Sequence, residues 1–298
     1  LPPTAMMGAT LPLVVQHFAV SNRLLGARLG HFYAMNTMGA LAGTLVGGFL
    51  LLPTLGVTRS VLASAIVNLA IGLAAIWLAR ESGPVTVEAS EPRRATGATG
   101  NHRLLVPLAL AISGFAALAL EVVWIRILVQ SFSATVYAFS IMLASFLLGI
   151  FLGSERESRQ VDARARPAAR LMLLELLLFA YVAALAVLTY LVPSVFGTLL
   201  WGLTAITGGS FGLASILAQL IAAGLLIVAP TLWLGATFPL AVKVFTNDIR
   251  ERAADTGAVY AANTLGALLG ALAAGFILIP AFGARGSLLA IAALFLLA

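Results

Sequence analysis

The chain contains no cysteine and very few charged residues. Asp, Glu, Lys and Arg together make up 9% of its 298 residues, and residues 176–242 contain none of them. The lack of cysteine excludes disulfides and thiolate metal sites. Hydrophobic residues instead account for 61% of the chain, and its mean hydropathy is +1.06. This composition excludes an ordinary soluble domain and is typical of a polytopic helical protein in the lipid bilayer.

Recognisable catalytic and ligand-binding motifs are also missing. The three histidines do not have the spacing of metal ligands, and GGSFG at residues 208–212 lacks the GK[ST] ending of a phosphate loop. No nucleophile is paired with a base, so we predict no catalytic site, no metal and no cofactor. The pI near 10.5 reflects arginines placed as membrane topology requires, and nucleic acid is therefore not expected as a partner.

The apolar segments predict an all-α fold, a polytopic transmembrane helical bundle of about nine spans. A helix needs about 20 apolar residues to cross the hydrocarbon layer. An uncharged piece at residues 193–213 is predicted as either a short interfacial helix or a re-entrant loop. The apolar segments cover residues 2–18, 30–52, 60–79, 104–129, 134–153, 171–192, 214–242, 257–280 and 286–298.

Basic residues occupy every second connection between these segments. Fourteen of the 17 Lys and Arg residues lie there, whereas the intervening connections carry only Arg59 and Arg285. Because positively charged loops stay in the cytoplasm, we place the basic connections on that side of the membrane.

The sequence also contains an internal duplication at a constant offset of 227 residues. The stretch GHFYAMNTMGALAGTLVGGFLLLPTLG (30–56) recurs as GAVYAANTLGALLGALAAGFILIPAFG (257–283), and 31 of 71 positions are identical between Leu1–Ile71 and Val228–Ala298. Both copies have the same predicted orientation. They are therefore expected to be parallel repeats about an axis along the membrane normal, an arrangement found in transporters.

Each copy carries small residues four positions apart, which predicts a flat face for close helix packing. This face serves either as a static packing seam, which we favour, or as a sliding surface between moving helices. Its glycines are Gly39, Gly43 and Gly47 in the first copy and Gly266 and Gly270 in the second.

Polar residues recur near the cytoplasmic end of both copies. Asn36 is predicted to lie roughly 9 Å along its helix from Gly30, and an Asn at that depth needs hydrogen-bonding partners. The cluster either pins neighbouring helices together or forms a cytoplasmic gate beside kinks at Pro12 and Pro239. Its predicted members are Thr10, Tyr33, Asn36, Thr237, Tyr260 and Asn263.

Glu121, Arg126 and Glu175 are the ionisable residues within predicted spans. An intramembrane charge is a candidate for contact with a solute or a proton. Helix rise places Glu121 roughly 27 Å beyond Arg103 and Glu175 about 7 Å beyond Arg170, near opposite faces of the membrane. Glu121 is the preferred candidate for a cation or proton contact, with a structural hydrogen bond as the alternative.

Four stretches resemble the membrane part of bacterial fused transporter/spermidine-synthase-like proteins, which are polyamine aminopropyltransferase-like membrane proteins. They are SGFAALALEVVWIRIL (113–128), TVYAFSIMLASFLLGIFLGS (135–154), PTLWLGATFPL (230–240) and the second repeat copy. In that family, six-helix units resemble the halves of major facilitator superfamily transporters. A cytoplasmic Rossmann-type aminopropyltransferase-like domain typically follows them.

The resemblance implies a domain organisation. Residues 1–80 correspond to the back half of a first six-helix unit with three spans, and 103–298 to a complete second unit. Residues 81–102, rich in Gly, Pro, Ser and Thr, are expected to form a flexible cytoplasmic linker. The synthase-like domain and the front half of the first unit are absent from the sequence, and SERESRQVDARARP (154–167) departs from the GxLxDR-like pattern expected there.

Three functions follow as alternatives for a protein expected in the bacterial inner membrane. We favour a transporter-like domain that handles a polyamine or another small solute. The second is a non-catalytic accessory subunit, with other membrane subunits or a second copy as partners. The third is the membrane anchor of a cytoplasmic synthase-like domain lying beyond Ala298, and aminopropyl transfer would require that absent domain.

Overall fold

A computed structural model gives the fold of residues 25–81, 102–132, 134–245 and 252–298. Throughout these ranges the chain is helical, with short turns and without strands, which confirms the predicted all-α class. The α-helices are α1 (Leu25–Val46), α2 (Leu52–Glu81), α3 (His102–Phe132), α4 (Val136–Ser158), α5 (Pro167–Leu188), α6 (Val192–Ile206), α7 (Phe211–Ala223), α8 (Ala229–Phe245), α9 (Arg252–Ala273) and α10 (Ile279–Leu297).

Local sequence accounts for several helix boundaries. Thr135 precedes α4 and its side-chain oxygen accepts a hydrogen bond from the Ala138 N–H at 3.1 Å, which satisfies one of the free donors of the first turn. Pro167 opens α5, where its fixed φ angle fits and no N–H is needed. Helix α6 covers most of the piece at 193–213, so the helical interpretation of that piece is the one observed.

Three π-helical segments join consecutive α-helices without a loop. They connect α1 to α2, α7 to α8, and α9 to α10, and they cover Gly47–Leu51, Gly224–Val228 and Ala274–Leu278. A π segment winds one extra residue into the turn and leaves backbone carbonyls less regularly bonded. In one of them the Tyr181 hydroxyl donates to the Leu226 carbonyl at 3.0 Å.

The sequence duplication is also a duplication of backbone geometry. The π segments Gly47–Leu51 and Ala274–Leu278 are 227 residues apart. Nine residues after each π segment begins, a glycine has positive φ: Gly56 at φ 71°, ψ 176° and Gly283 at φ 63°, ψ −178°. Side chains with a Cβ rarely adopt this conformation, so glycine is required at both breaks.

Two helix crossings bring backbones into close contact through glycine. Helix α4 packs along α8, where a Cβ added to Gly153 would overlap the Leu232 carbonyl and one added to Gly235 would overlap Ile150. Helix α9 packs along α3, where Gly266 and Gly270 take the corresponding role. Helix α10 then packs against both α3 and α5, and α5 against α8. These crossings define the core of the larger unit.

Contacts divide the described residues into two units, one within Leu1–Thr44 and Asn101–Ala298 and the other within Leu45–Gly100. In the smaller unit, apolar side chains along α2 are exposed, as with Val57 at 70% and Leu69 at 64%. Six helical stretches in the described ranges are long and apolar enough to cross a membrane. They are Gly30–Leu78, Pro107–Phe132, Val136–Ser158, Pro167–Ile206, Phe211–Phe245 and Val259–Leu297.

Candidate functional site

Glu175 is buried in the core of the larger unit, with 5% of its surface exposed. It lies on α5 between the buried residues Leu174 and Leu178. Ser113 of α3 is also buried, and its hydroxyl donates to Glu175 Oε1 at 2.9 Å. The other carboxylate oxygen, Oε2, is buried without a hydrogen-bond partner among the described residues. A buried carboxylate oxygen without a hydrogen-bond partner carries an uncompensated desolvation cost, and binding a hydrogen-bond donor would offset that cost.

Glu121 lies elsewhere on α3 and is only half-buried. It lines a small recess of about 10 Å³ together with Trp124, whose buried indole N–H has no partner in the described part of the chain. Such a volume holds about one water molecule. Eight residues of helix separate Ser113 from Glu121, roughly 12 Å along the axis, and Arg126 is exposed to the outside. The three predicted charges therefore do not share one site.

Two members of the predicted polar cluster meet at an aromatic residue of α8. Tyr33 stacks on Phe238, with ring centroids 4.6 Å apart, and Tyr260 approaches the same ring edge-on at 6.2 Å. Tyr33 and Tyr260 are equivalent positions in the two repeat copies. The structure thus brings both copies together at Phe238 by aromatic contact, which stabilises through ring area and geometry more than through hydrogen bonding.

The remaining predicted members of this cluster are dispersed. Thr237 is buried, but its hydroxyl donates to the Leu234 carbonyl of its own helix at 2.7 Å. Asn263 packs over Gly114, next to Ser113, whereas Asn36 is exposed. Thr10 lies outside the described residues.

The packing glycines behave differently in the two copies. Gly266 and Gly270 of α9 are buried against α3. For Gly39, Gly43 and Gly47, an added Cβ would meet no atom within 4 Å in the described ranges. Equivalent sequence faces are therefore covered in the second copy, whereas no described residue covers the face of the first.

A network of charged residues at the end of α4 was not predicted as a site. Glu157 is buried at 3% exposure, pairs with Arg164, and lies 3.7 Å from Arg170 Nε. The sequence places Glu157 among several arginines, which could have indicated an ion-pair network. Those arginines were used only to assign membrane topology in the sequence-based prediction. Glu157 is thus an internal counter-ion that holds the α4–α5 connection together.

Flanking ion pairs extend this network to other helices. Glu155 accepts from Arg159 at 2.9 Å and lies 2.9 Å from His31 Nδ1 on α1. Lys243 of α8 donates to Asp162 at 2.9 Å. One ion pair thereby joins α1 to α4, and another joins α8 to the connection that follows α4.

The chain matches no family model, no curated protein and no solved structure. The features that bear on its function are therefore the buried carboxylate of Glu175 and the repeat. Within the described residues, no three His, Asp or Glu side chains converge as metal ligands.

Proposed function

We propose that this chain is the membrane-embedded, transporter-like domain of a spermidine-synthase-like protein, and that Glu175 contacts a polyamine or another small cation. The observation that carries this proposal is the free Oε2 atom of Glu175, buried among apolar helices. An acidic side chain in that environment costs several kcal/mol unless it gains a partner. An amine or a proton would supply that partner.

We propose that the chain crosses the membrane about nine times and that its two copies are parallel repeats. Two of the six candidate membrane stretches are interrupted by the positive-φ glycines Gly56 and Gly283, so each of them provides two helical pieces. Eight segments result in the described ranges, and the ninth predicted segment, residues 2–18, lies outside them. The placement of basic residues in every second connection supports a common direction of both copies through the membrane.

Glu175 is a better candidate than Glu121, the residue favoured by the sequence. Counting residues along a helix gives only the depth of a carboxylate in the membrane. Burial, in contrast, distinguishes Glu175 from Glu121. Glu175 lies on α5, which packs against α8 and α10, and its one hydrogen-bond partner among the described residues is the neutral Ser113 of α3. Glu121 is half-buried beside the small recess that Trp124 also lines. The fuller burial of Glu175, with one oxygen left without a partner in the described residues, favours binding of a cation there.

Replacement of Glu175 by Gln is expected to reduce uptake of labelled spermidine into proteoliposomes by at least about tenfold. The amide keeps an acceptor for Ser113 and removes the buried charge, so the Tm should stay level or rise. Glu121→Gln is the matched control and should retain uptake. Full uptake by Glu175→Gln would refute the role of Glu175, and loss only in Glu121→Gln would move the contact to that residue.

A second candidate, an accessory subunit of a larger membrane complex, is favoured by the face at Gly39 and Gly43, which no residue of the described ranges covers. The equivalent face in the other copy is covered by α3. Because the chain has no cysteine, Gly39→Cys introduces a single reactive thiol. Cross-linking of this thiol to another polypeptide in native membranes supports the subunit role, and quantitative labelling by a lipid-soluble maleimide in the same membranes opposes it.

A further inference from the structure

An open recess of about 610 Å³ lies in the connection between α4 and α5, where two candidate spans end. Alanines and polar side chains form its wall, and none of its lining residues in the described part of the chain is Asp or Glu. The polar lining consists of Arg159, Gln160, Arg164, Arg166 and Arg170. Its position at the end of both spans places it at the membrane–water boundary.

The arginines around this recess are only partly neutralised. Arg159 pairs with Glu155, and Glu157 serves both Arg164 and Arg170. The Nε atom of Arg170 is buried and has no hydrogen-bond partner among the described residues.

Arg166 adds a further positive charge at the same place. It is exposed and makes no ion pair within the described ranges. Among the described residues, four arginines at the recess have two glutamates as counter-ions, which leaves an excess of positive charge there. An anion entering it would find both charge and unused donors.

The first turn of α5 contains no acidic side chain that would oppose an anion at the recess. Its backbone contributes little, because Pro167 has no N–H and the Arg170 N–H already donates to the Arg166 carbonyl at 3.2 Å. The arginine side chains therefore supply the donors for an anion.

Immediately along α5, apolar side chains face outward. Met172 is 67% exposed, Leu173 is 45% exposed and Leu176 is 48% exposed. Leu173 follows Arg166 by two turns and Arg170 by one, so it lies on the same face of the helix. The basic recess and the apolar surface beside it match a ligand that has an anionic headgroup and a hydrocarbon tail.

We propose that this recess binds the phosphate group of an acidic phospholipid. Arg166 and Arg170 contact the phosphate oxygens, and the acyl chains lie along Leu173 and Leu176. Basic pockets beside transmembrane helices are suited to such headgroups because each arginine near the surface contributes about 1 kcal/mol of attraction. The site is independent of the contact proposed at Glu175.

Lipid binding to the purified chain tests this proposal, with native mass spectrometry and thermal unfolding as readouts. Phosphatidylglycerol is expected to bind more tightly than phosphatidylcholine and to raise the Tm. Arg166→Ala should weaken phosphatidylglycerol binding about fivefold, and Arg166→Glu should weaken it more. Because Arg166 is exposed and unpaired in the described structure, neither change should unfold the chain.

Arg156→Ala is the matched control. Arg156 is exposed, lies outside the recess and has no ion pair within the described residues. Equal losses in Arg156→Ala and Arg166→Ala would mean general charge attraction and overturn the site. Equal binding of phosphatidylcholine would also overturn it. Saturation by inorganic phosphate that phosphatidylglycerol cannot displace would identify a free anion as the ligand and refute the lipid.

Discussion

Leucine at Gly266 or Gly270 is expected to prevent the larger unit from folding. A Cβ alone at these positions would overlap the Ala111 and Phe115 carbonyls of α3. Both partners are backbone, so α3 and α9 would have to separate along their whole contact. Overpacking of a core typically costs 1–3 kcal/mol, and a backbone clash on a long crossing exceeds this range. We expect no monodisperse protein by fluorescence-detected gel filtration, and a lower Tm for the milder Gly266→Ala.

The repeat supplies the control for this prediction. Gly39 and Gly43 are the equivalents of Gly266 and Gly270, and an added Cβ there meets no atom within 4 Å in the described ranges. Leucine at either position should leave the Tm of the isolated chain within about 2 °C, because a surface change costs less than about 0.5 kcal/mol. Comparable losses in both copies would contradict the difference in packing.

Removal of the Glu157 carboxylate is expected to give the second largest effect. Glu157→Ala leaves Arg164 and Arg170 without their shared counter-ion in a half-buried position. Breaking a buried ion pair typically costs 3–5 kcal/mol, and because both arginines are partly exposed we expect about 3 kcal/mol. Thermal unfolding in detergent, followed by tryptophan fluorescence, measures the change.

Glu155→Ala is the comparison for Glu157→Ala. Glu155 contacts both Arg159 and His31, but these two side chains are 73% and 51% exposed. Exposed ion pairs contribute about 0–1 kcal/mol, so the Tm should fall only slightly. If both variants lose the same stability, burial of Glu157 does not set its contribution.

The membrane character and the repeat could be predicted because both follow from residue patterns in the sequence and do not depend on tertiary contacts. Long uncharged runs demand helices in a bilayer, and a constant offset needs no knowledge of packing. The breaks at Gly56 and Gly283 fall within the repeated stretch, but their positive φ could not be predicted. Glycine is common in membrane helices for other reasons.

Contacts between helices could not be predicted, because sequence does not fix how each helix is rotated. The glycine faces of the two copies look alike, and only the position of α3 distinguishes Gly266 from Gly39. Likewise, Ser113 and Glu175 are 62 residues apart and carry no shared motif. The buried counter-ion role of Glu157 could not be predicted, because the surrounding arginines dominate the charge pattern.

The two equivalent π segments also carry information about the order of events in the history of this chain. A π segment arises when one residue is added to an existing α-helix, because the extra residue must be wound into the turn. Such an insertion at Gly47–Leu51 and again at Ala274–Leu278, each followed at the same distance by a positive-φ glycine, is inherited more simply than it is acquired twice. The bulged, broken helix shared by both copies is therefore explained most simply as a feature of one unit that was later duplicated.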